Sequence, residues 1–246
     1  TSQQMSSSAS KFLYYSKKFF FLKKLYFFYN IYFRNYKFYF SGSQFGEDEK
    51  FLKYFKKNYK GRYVDLGCFH PTRHNNTFKM YKKGWSGLNV DLNPLTIDLF
   101  NFARPQDINV RAALSNNKKN KKMYFLGDLN SQNTLEKNHI KWLRSHFGYK
   151  KKDILVKKVK TQKIGDILEK HKIFNIDFMN IDLEGHEIKI LKTLNFKKFN
   201  IKYFCIEILT HDKTSRENKK KIISFFLKKK YKLKHIYKIN YIFKKR

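Results

Sequence analysis

Apolar and polar positions change rhythm several times along this chain. Over residues 11–40 (KFLYYSKKFFFLKKLYFFYNIYFRNYKFYF) Phe and Tyr dominate, but Lys17, Lys18, Lys23, Lys24, Arg34 and Lys37 interrupt every apolar run. No stretch therefore approaches the ~20 apolar residues of a membrane-spanning helix. The same Lys pairs break the apolar region a signal peptide needs. An aromatic, basic segment of this kind either lies on an anionic membrane surface or packs against the domain or a second subunit. Before it, residues 1–10 lack apolar periodicity and read as a disordered leader. After it, Ser41 with Gln44 matches a capping box, and Glu47, Asp48 and Glu49 place negative charge in the first turn of a helix with Leu52, Tyr54 and Phe55 on its apolar face.

Beyond residue 60 short apolar runs alternate with helical periods. YVDLGCF (63–69), GLNVDLN (87–93) and NVRAALS (109–115) read as three strands, with a helix over 77–83. A polar loop over 116–122 precedes added strands at MYFLG and ILVKKVK. Then follow a helix over 164–172, a buried strand IDFMNIDL (176–183), a helix over 186–194, a strand YFCIEIL (203–209) and an amphipathic helix over 215–230. The end reads as two strands around a turn near Asn240. This order predicts an α/β domain over residues 41–246: a mostly parallel central sheet, helices on both faces, and a C-terminal antiparallel hairpin.

Composition sharpens that picture. The chain has 246 residues, 41% hydrophobic and 18% aromatic, which excludes wholesale disorder. Two Cys exclude a disulfide framework. Lys and Arg number 54 against 19 acids, a formal charge of +35, but 46 of the 54 are Lys. Lys, Phe, Tyr, Ile and Asn share A/T-rich codons, so the excess does not by itself specify a polyanion partner. Readers of nucleic acid favour the Arg fork. Salt-dependent, non-specific binding to nucleic acid is expected, and a nucleic-acid-binding protein or an RNA-modifying enzyme stays as the alternative.

In a parallel sheet ligands sit at the carboxyl ends of the strands. Here Asp65, Asp91, Asp182 and Glu207 break or close the apolar runs, and buried carboxylates persist only where something pairs with them. Asp65 and Gly67 form D-x-G, a glycine that lets backbone approach a ligand. Asp91, closing the next strand, has the place of an acid that accepts ribose hydroxyls. No G-x-G-x-x-G follows the first strand, so a pyrophosphate lacks its cradle; an adenosine ligand without phosphates, such as S-adenosylmethionine, remains compatible. Cys68, His70 and His74 lack a fourth ligand for zinc, and no metal site is assigned to them. Trp85, between two glycines, reads as a packing anchor, and Gln44 and Asp48 either cap a helix or cover the cofactor.

Five strings, SQFGEDEKFLKYF, GRYVDLGCFHP, NNTFKMYKKGWSGLNVDLNP, ARPQDINVRAALS and DFMNIDLEGHEIKILKTLNF, in this order and spacing resemble the FkbM-type S-adenosylmethionine-dependent methyltransferases. The likeness runs from about Ser43 to Glu207; residues 11–40 fall outside it. The resemblance implies a Rossmann-like class I methyltransferase fold and methylation of a hydroxyl oxygen on a small molecule or glycan, with a cytoplasmic location expected. It also implies cofactor roles for Asp65 and Gly67, ribose recognition by Asp91 and adenine contacts around Ala112 and Ala113; Asn75, Asn76 and Thr77 read as caps of the helix that follows, where the resemblance places the pocket mouth, with Asn76 among the cofactor contacts. C-F-H-P after Gly67 departs from the more open glycine-rich version of that loop.

The D-x-E-G-H-E stretch is expected to carry the mechanism. A neutral hydroxyl is a poor nucleophile, so a base or a metal must take its proton. His186 or Asp182 is the expected base, with Glu184 and Glu207 shaping the acceptor pocket or holding a divalent cation such as Mg²⁺. In the competing arrangement His186 and Glu187 only cap a helix, and Asp182 holds the cofactor amine.

Overall fold

The computed structural model describes residues 20–34, 36–37, 42–128, 130–210 and 212–246. The expected leader and Ser41 of the expected capping box lie outside them. In chain order, α1 (Phe20–Phe28) runs into a wide π-helical turn (Tyr29–Phe33), and α2 (Glu47–Leu52) leads to β1 (Arg62–Leu66). Then come α3 (Phe78–Lys82), β2 (Ser86–Asp91), α4 (Pro94–Ala103), β3 (Ile108–Arg111), β4 (Ala113–Leu114), β5 (Asn120–Phe125), α5 (Lys137–Phe147) and β6 (Leu155–Gln162). The chain closes with α6 (Ile164–Lys170), β7 (Asn175–Ile181), α7 (Glu187–Leu191), β8 (Asn200–Glu207), α8 (Lys213–Lys228), β9 (Tyr231–Tyr237) and β10 (Asn240–Lys245).

The central sheet has seven strands in the order β3-β2-β1-β7-β8-β10-β9. The first five are mutually parallel. β10 inserts antiparallel between β8 and β9, so the C-terminal hairpin closes the sheet as expected. Alternation along each strand feeds two cores. Val64, Leu66, Val90, Met179 and Ile181 pack under α6, α7 and α8 through Ile167, Ile190 and Phe226. On the other face Tyr63, Phe178, Tyr203 and Ile242 meet Phe51 of α2, Met80 of α3 and Trp85, the anchor the sequence suggests. Burial on both faces explains why these strands read as near-continuous apolar runs.

Four expectations shift. Residues 109–115 are not one strand: β3 ends in register with Asp91, Ala112 donates its N–H to the Asp91 carbonyl, and β4 departs into a small second sheet, β4-β6-β5. β5 begins inside the expected polar loop, because a mostly exposed strand needs no apolar run. Two helices escaped the periodicity. α4 buries a wide arc, Leu95, Thr96, Ile97, Leu99 and Phe100, and leaves only a narrow polar strip at Asp98 and Asn101; its start signals are the Asn93 cap, which accepts from Leu95 N, and Pro94 in the first turn. α5 is amphipathic, burying His139, Ile140 and Leu143, and stops at the left-handed Gly148. Finally, α2 starts at Glu47 rather than after Ser41: Asp48 accepts from Ser43 N and Oγ and donates its own N–H back to Ser43 Oγ.

Within the described part of the aromatic segment, α1 and the turn after it dock on the domain. Phe27 and Ile31 bury against Leu95 and Leu99 of α4, and Lys23 pairs with Asp98 at 2.7 Å. Among the described residues no helix is long and apolar enough to cross a membrane.

Candidate active site

β1, β2 and β3 run outward from the middle of the sheet in one direction, and β7 and β8 in the other. At the carboxyl ends, where this order turns back, lies a cavity of about 320 Å³, at the lower end of ligand-pocket sizes. Asp65, Gly67, Asn76, Asp91, Ala112, Asp182, Glu184 and His186 all line it, with Gln44 and Glu207. Ala113 does not: it is buried in β4 beside Thr161, because the backbone turns away after Ala112. No Lys or Arg is among the lining residues.

The floor is a polar row that register dictates. Asp65 lies level with Asn89 on one side and Asn180 on the other. Fully buried, Asp65 accepts from Asn75 Nδ2 (3.0 Å), Thr77 Oγ1 (2.9 Å) and Asn180 Nδ2 (2.9 Å). Burial pushes its carboxyl upward against the pull of those bonds and of Arg104. Arg104, also fully buried, donates to Thr77 Oγ1, Asn75 Oδ1 and the Pro71 carbonyl, and stacks over Phe100. Asn76 donates to Asn180 Oδ1 at 3.0 Å. Thus Asn75 and Thr77 brace Asp65 rather than only starting α3. Gly67 has a reason the sequence does not disclose. Its φ is +79°, and a Cβ there would stand 1.7 Å from the Asp182 carbonyl oxygen, so the neighbouring strand end claims the space a side chain needs.

Asp91 sits at the end of β2 with both oxygens held: Phe69 N donates to one at 3.1 Å and Asn93 N to the other at 2.7 Å. Each oxygen retains a second lone pair. Burial lifts this carboxyl to about 6.

The far wall is acidic. Asp182, Glu184 and Glu207 each offer an oxygen, all within 4.8 Å of one another. Burial, reinforced by the facing Glu207, drives Asp182 well above the carboxylate range; burial also lifts Glu207 to about 8 and Glu184 far up. Asp182 and Glu207 face each other at that spacing, and a proton shared between them would relieve their repulsion. Glu184 is held at a left-handed φ of +50°, a conformation that costs about 1 kcal/mol or more in a residue with a Cβ. Glu187 ties the turn together by accepting from Leu183 N and Gly185 N, both at 3.0 Å.

His186 is held at both ring nitrogens. Nδ1 is hydrogen-bonded to Glu136, which also pairs with Lys189, and Nε2 meets Ser115 Oγ at 3.1 Å. Burial opposes ionisation of Glu136, but the bonds from His186 and Lys189 hold it down at about 2. The His186 side chain makes no cap to α7. Over the cavity lies the segment between β5 and α5. Gln132 Nε2 donates to Glu184 at 2.9 Å and its Oε1 meets His139 Nε2 at 2.8 Å, while Thr134 Oγ1 donates to the Glu184 carbonyl.

Sequence reasoning passed over Asn180, Arg104, Glu136 and Gln132. Asn180 had a signal, a polar residue inside IDFMNIDL, and Arg104 lay within a family-like string. Glu136 and Gln132 had none, since only the folded chain brings them against DLEGHE. A family model of the methyltransferase FkbM domain matches residues 58–233. No curated protein matches the chain.

Proposed function

This chain belongs to the FkbM methyltransferase family, and we propose that it moves the methyl group of S-adenosylmethionine to a hydroxyl of a small molecule or glycan. The observation that carries this reading is the concentration of carboxylates around one cavity that excludes Lys and Arg, in a chain of charge +35. Such a wall suits a sulfonium nucleoside and a neutral, hydroxyl-rich acceptor. It disfavours a polyanion, so RNA is the weaker alternative. The strand order and the carboxyl-edge cavity support a Rossmann-like class I methyltransferase fold.

S-Adenosylmethionine supplies a methyl carbon activated by a positively charged sulfur. In our reading Asp91 accepts the ribose hydroxyls through its remaining lone pairs, and Ala112 leaves room for the adenine. Asp65, already accepting from three side-chain donors, holds the floor through Asn75 and Asn180 in this reading rather than the cofactor amine. The hydroxyl proton passes to the Asp182–Glu207 pair, whose raised affinity for protons matches a base working near neutrality. His186, engaged at both nitrogens, is a positioning residue that sets the DLEGHE turn; Glu184 and Gln132 shape the acceptor side. The acid trio also has the mutual spacing a divalent cation needs, but a shared proton would already relieve its repulsion. Turnover in EDTA with and without added Mg²⁺ separates the two.

The test is calorimetric titration with S-adenosylmethionine and S-adenosylhomocysteine, repeated on Asp91→Ala. Micromolar binding weakened about 100-fold in the variant is expected from loss of charged hydrogen bonds. Equal affinity in both proteins would overturn the assignment.

A further inference from the structure

We propose that α1 and the π-helical turn after it, residues 20–33, are a peripheral membrane anchor whose outward face rests on an anionic lipid bilayer. The helix has two faces. One is spent on the domain through Phe27 and Ile31. The other presents Phe21, Leu25, Phe28 and Tyr32 at steps of four, three and four residues, so these share one side, with exposed Tyr29 and Phe33 next to them in the chain. Phe21 and Phe33 are 70% and 61% exposed. Seven of the sixteen large apolar side chains exposed among the described residues fall between Phe21 and Tyr36. A soluble monomer rarely leaves so dense an apolar stripe in water.

Charge identifies the occupant. No Asp or Glu occurs before Glu47, while Lys24, Arg34 and Lys37 are exposed beside the apolar side chains. Long basic side chains beside exposed rings are the arrangement that sinks apolar groups to headgroup depth while cations meet lipid phosphates. A second copy of the chain, also at +35, would be repelled. Nucleic acid would satisfy the charges, but bases stack on separate rings along a groove. This stripe is a convex helix surface that includes Leu25. The anchor stands independently of the acceptor reading, since none of its residues lines the cavity.

The full chain, sedimented with vesicles of phosphatidylcholine with and without phosphatidylserine at low and high salt, tests this. Binding is expected to require phosphatidylserine, weaken with salt, and fall about tenfold or more in Phe21→Ser/Phe33→Ser, whose exposed positions leave thermal stability unchanged. In a separate Phe33→Trp protein, indole emission should shift to the blue on adding those vesicles. Unchanged vesicle binding by the Ser variant would assign the attraction to Lys alone and overturn the proposal. So would a blue shift produced by a single-stranded oligonucleotide but not by lipid, or a lipid-free dimer that the Ser substitutions dissociate.

Discussion

Two concavities of similar size have opposite chemistry. The cavity at the carboxyl edge, about 320 Å³, is walled by Asp65, Asp91, Asp182, Glu184 and Glu207 without a Lys or Arg. A groove of about 360 Å³ between the α2–β1 segment and strands β8 and β10 is walled by Lys56, Lys202, Lys244 and Lys245 with Tyr54, Phe55, Tyr59 and Tyr203, and has no acid. In the groove the cations are spent locally: Lys202 pairs with Asp177 at 2.6 Å, Lys244 lies over Tyr203, and Lys245 donates to Asn200. Compositional drift toward Lys therefore accounts for the groove. It does not account for the cavity, where the drift is reversed. A site that gathers carboxyl groups and shifts their proton affinity by burial is the one under chemical demand.

The contrast breaks most sharply at Asp182. Asp182→Asn keeps the shape and removes one carboxyl of the proton-accepting pair, and turnover should fall about 10²- to 10⁴-fold in a steady-state assay. Cofactor affinity should fall much less; an equal loss in both would move Asp182 to holding the cofactor.

Glu207 sharpens it. A base acts only after losing its proton, so turnover of the parent protein should rise as pH climbs toward about 8, where burial places Glu207. Glu207→Gln removes that titrating group, so the rise toward pH 8 should be lost from the pH–rate profile. Stability gives the same sign. The folded protein holds this proton above the ordinary carboxyl value of 4.5, so stability is greatest below that value and declines as pH rises toward about 8. Glu207→Gln should therefore raise Tm by roughly 2–4 °C or more at pH 8, and by less at pH 5, in thermal melts. A Tm lowered at pH 8 would mean the pair stabilises the fold instead.

The smallest effect belongs to the groove. Lys56→Ser with Lys244→Ser should leave turnover and cofactor affinity within about twofold, while weakening salt-dependent retention on a polyanion resin. A larger change in turnover would show that the two ends of the sheet communicate.

Part of this site was legible beforehand. Asp65, Asp91 and Asp182 interrupt or close near-continuous apolar runs, the mark of strands covered on both faces, so such residues end up inside. The Asn93-Pro94 start of α4 and the apolar spacing in α5 were readable too, yet a wide apolar arc and a Lys-rich helix blur the usual stripe. Ala112 and Ala113 could not be told apart, because the departure of the chain into the second sheet depends on strands that follow.

By itself the sequence determined the alternation of strands and helices, the acids at the strand ends, and a basic aromatic segment without acids, since each depends on neighbours a few residues apart. Tertiary structure alone decided which of those groups meet. The Asp65–Asn180 register, the closeness of Asp182 to Glu207, the hold of Glu136 on His186 and the docking of α1 on α4 all join residues far apart in the chain. Their distances follow from strand order and sheet twist, which local spacing does not encode.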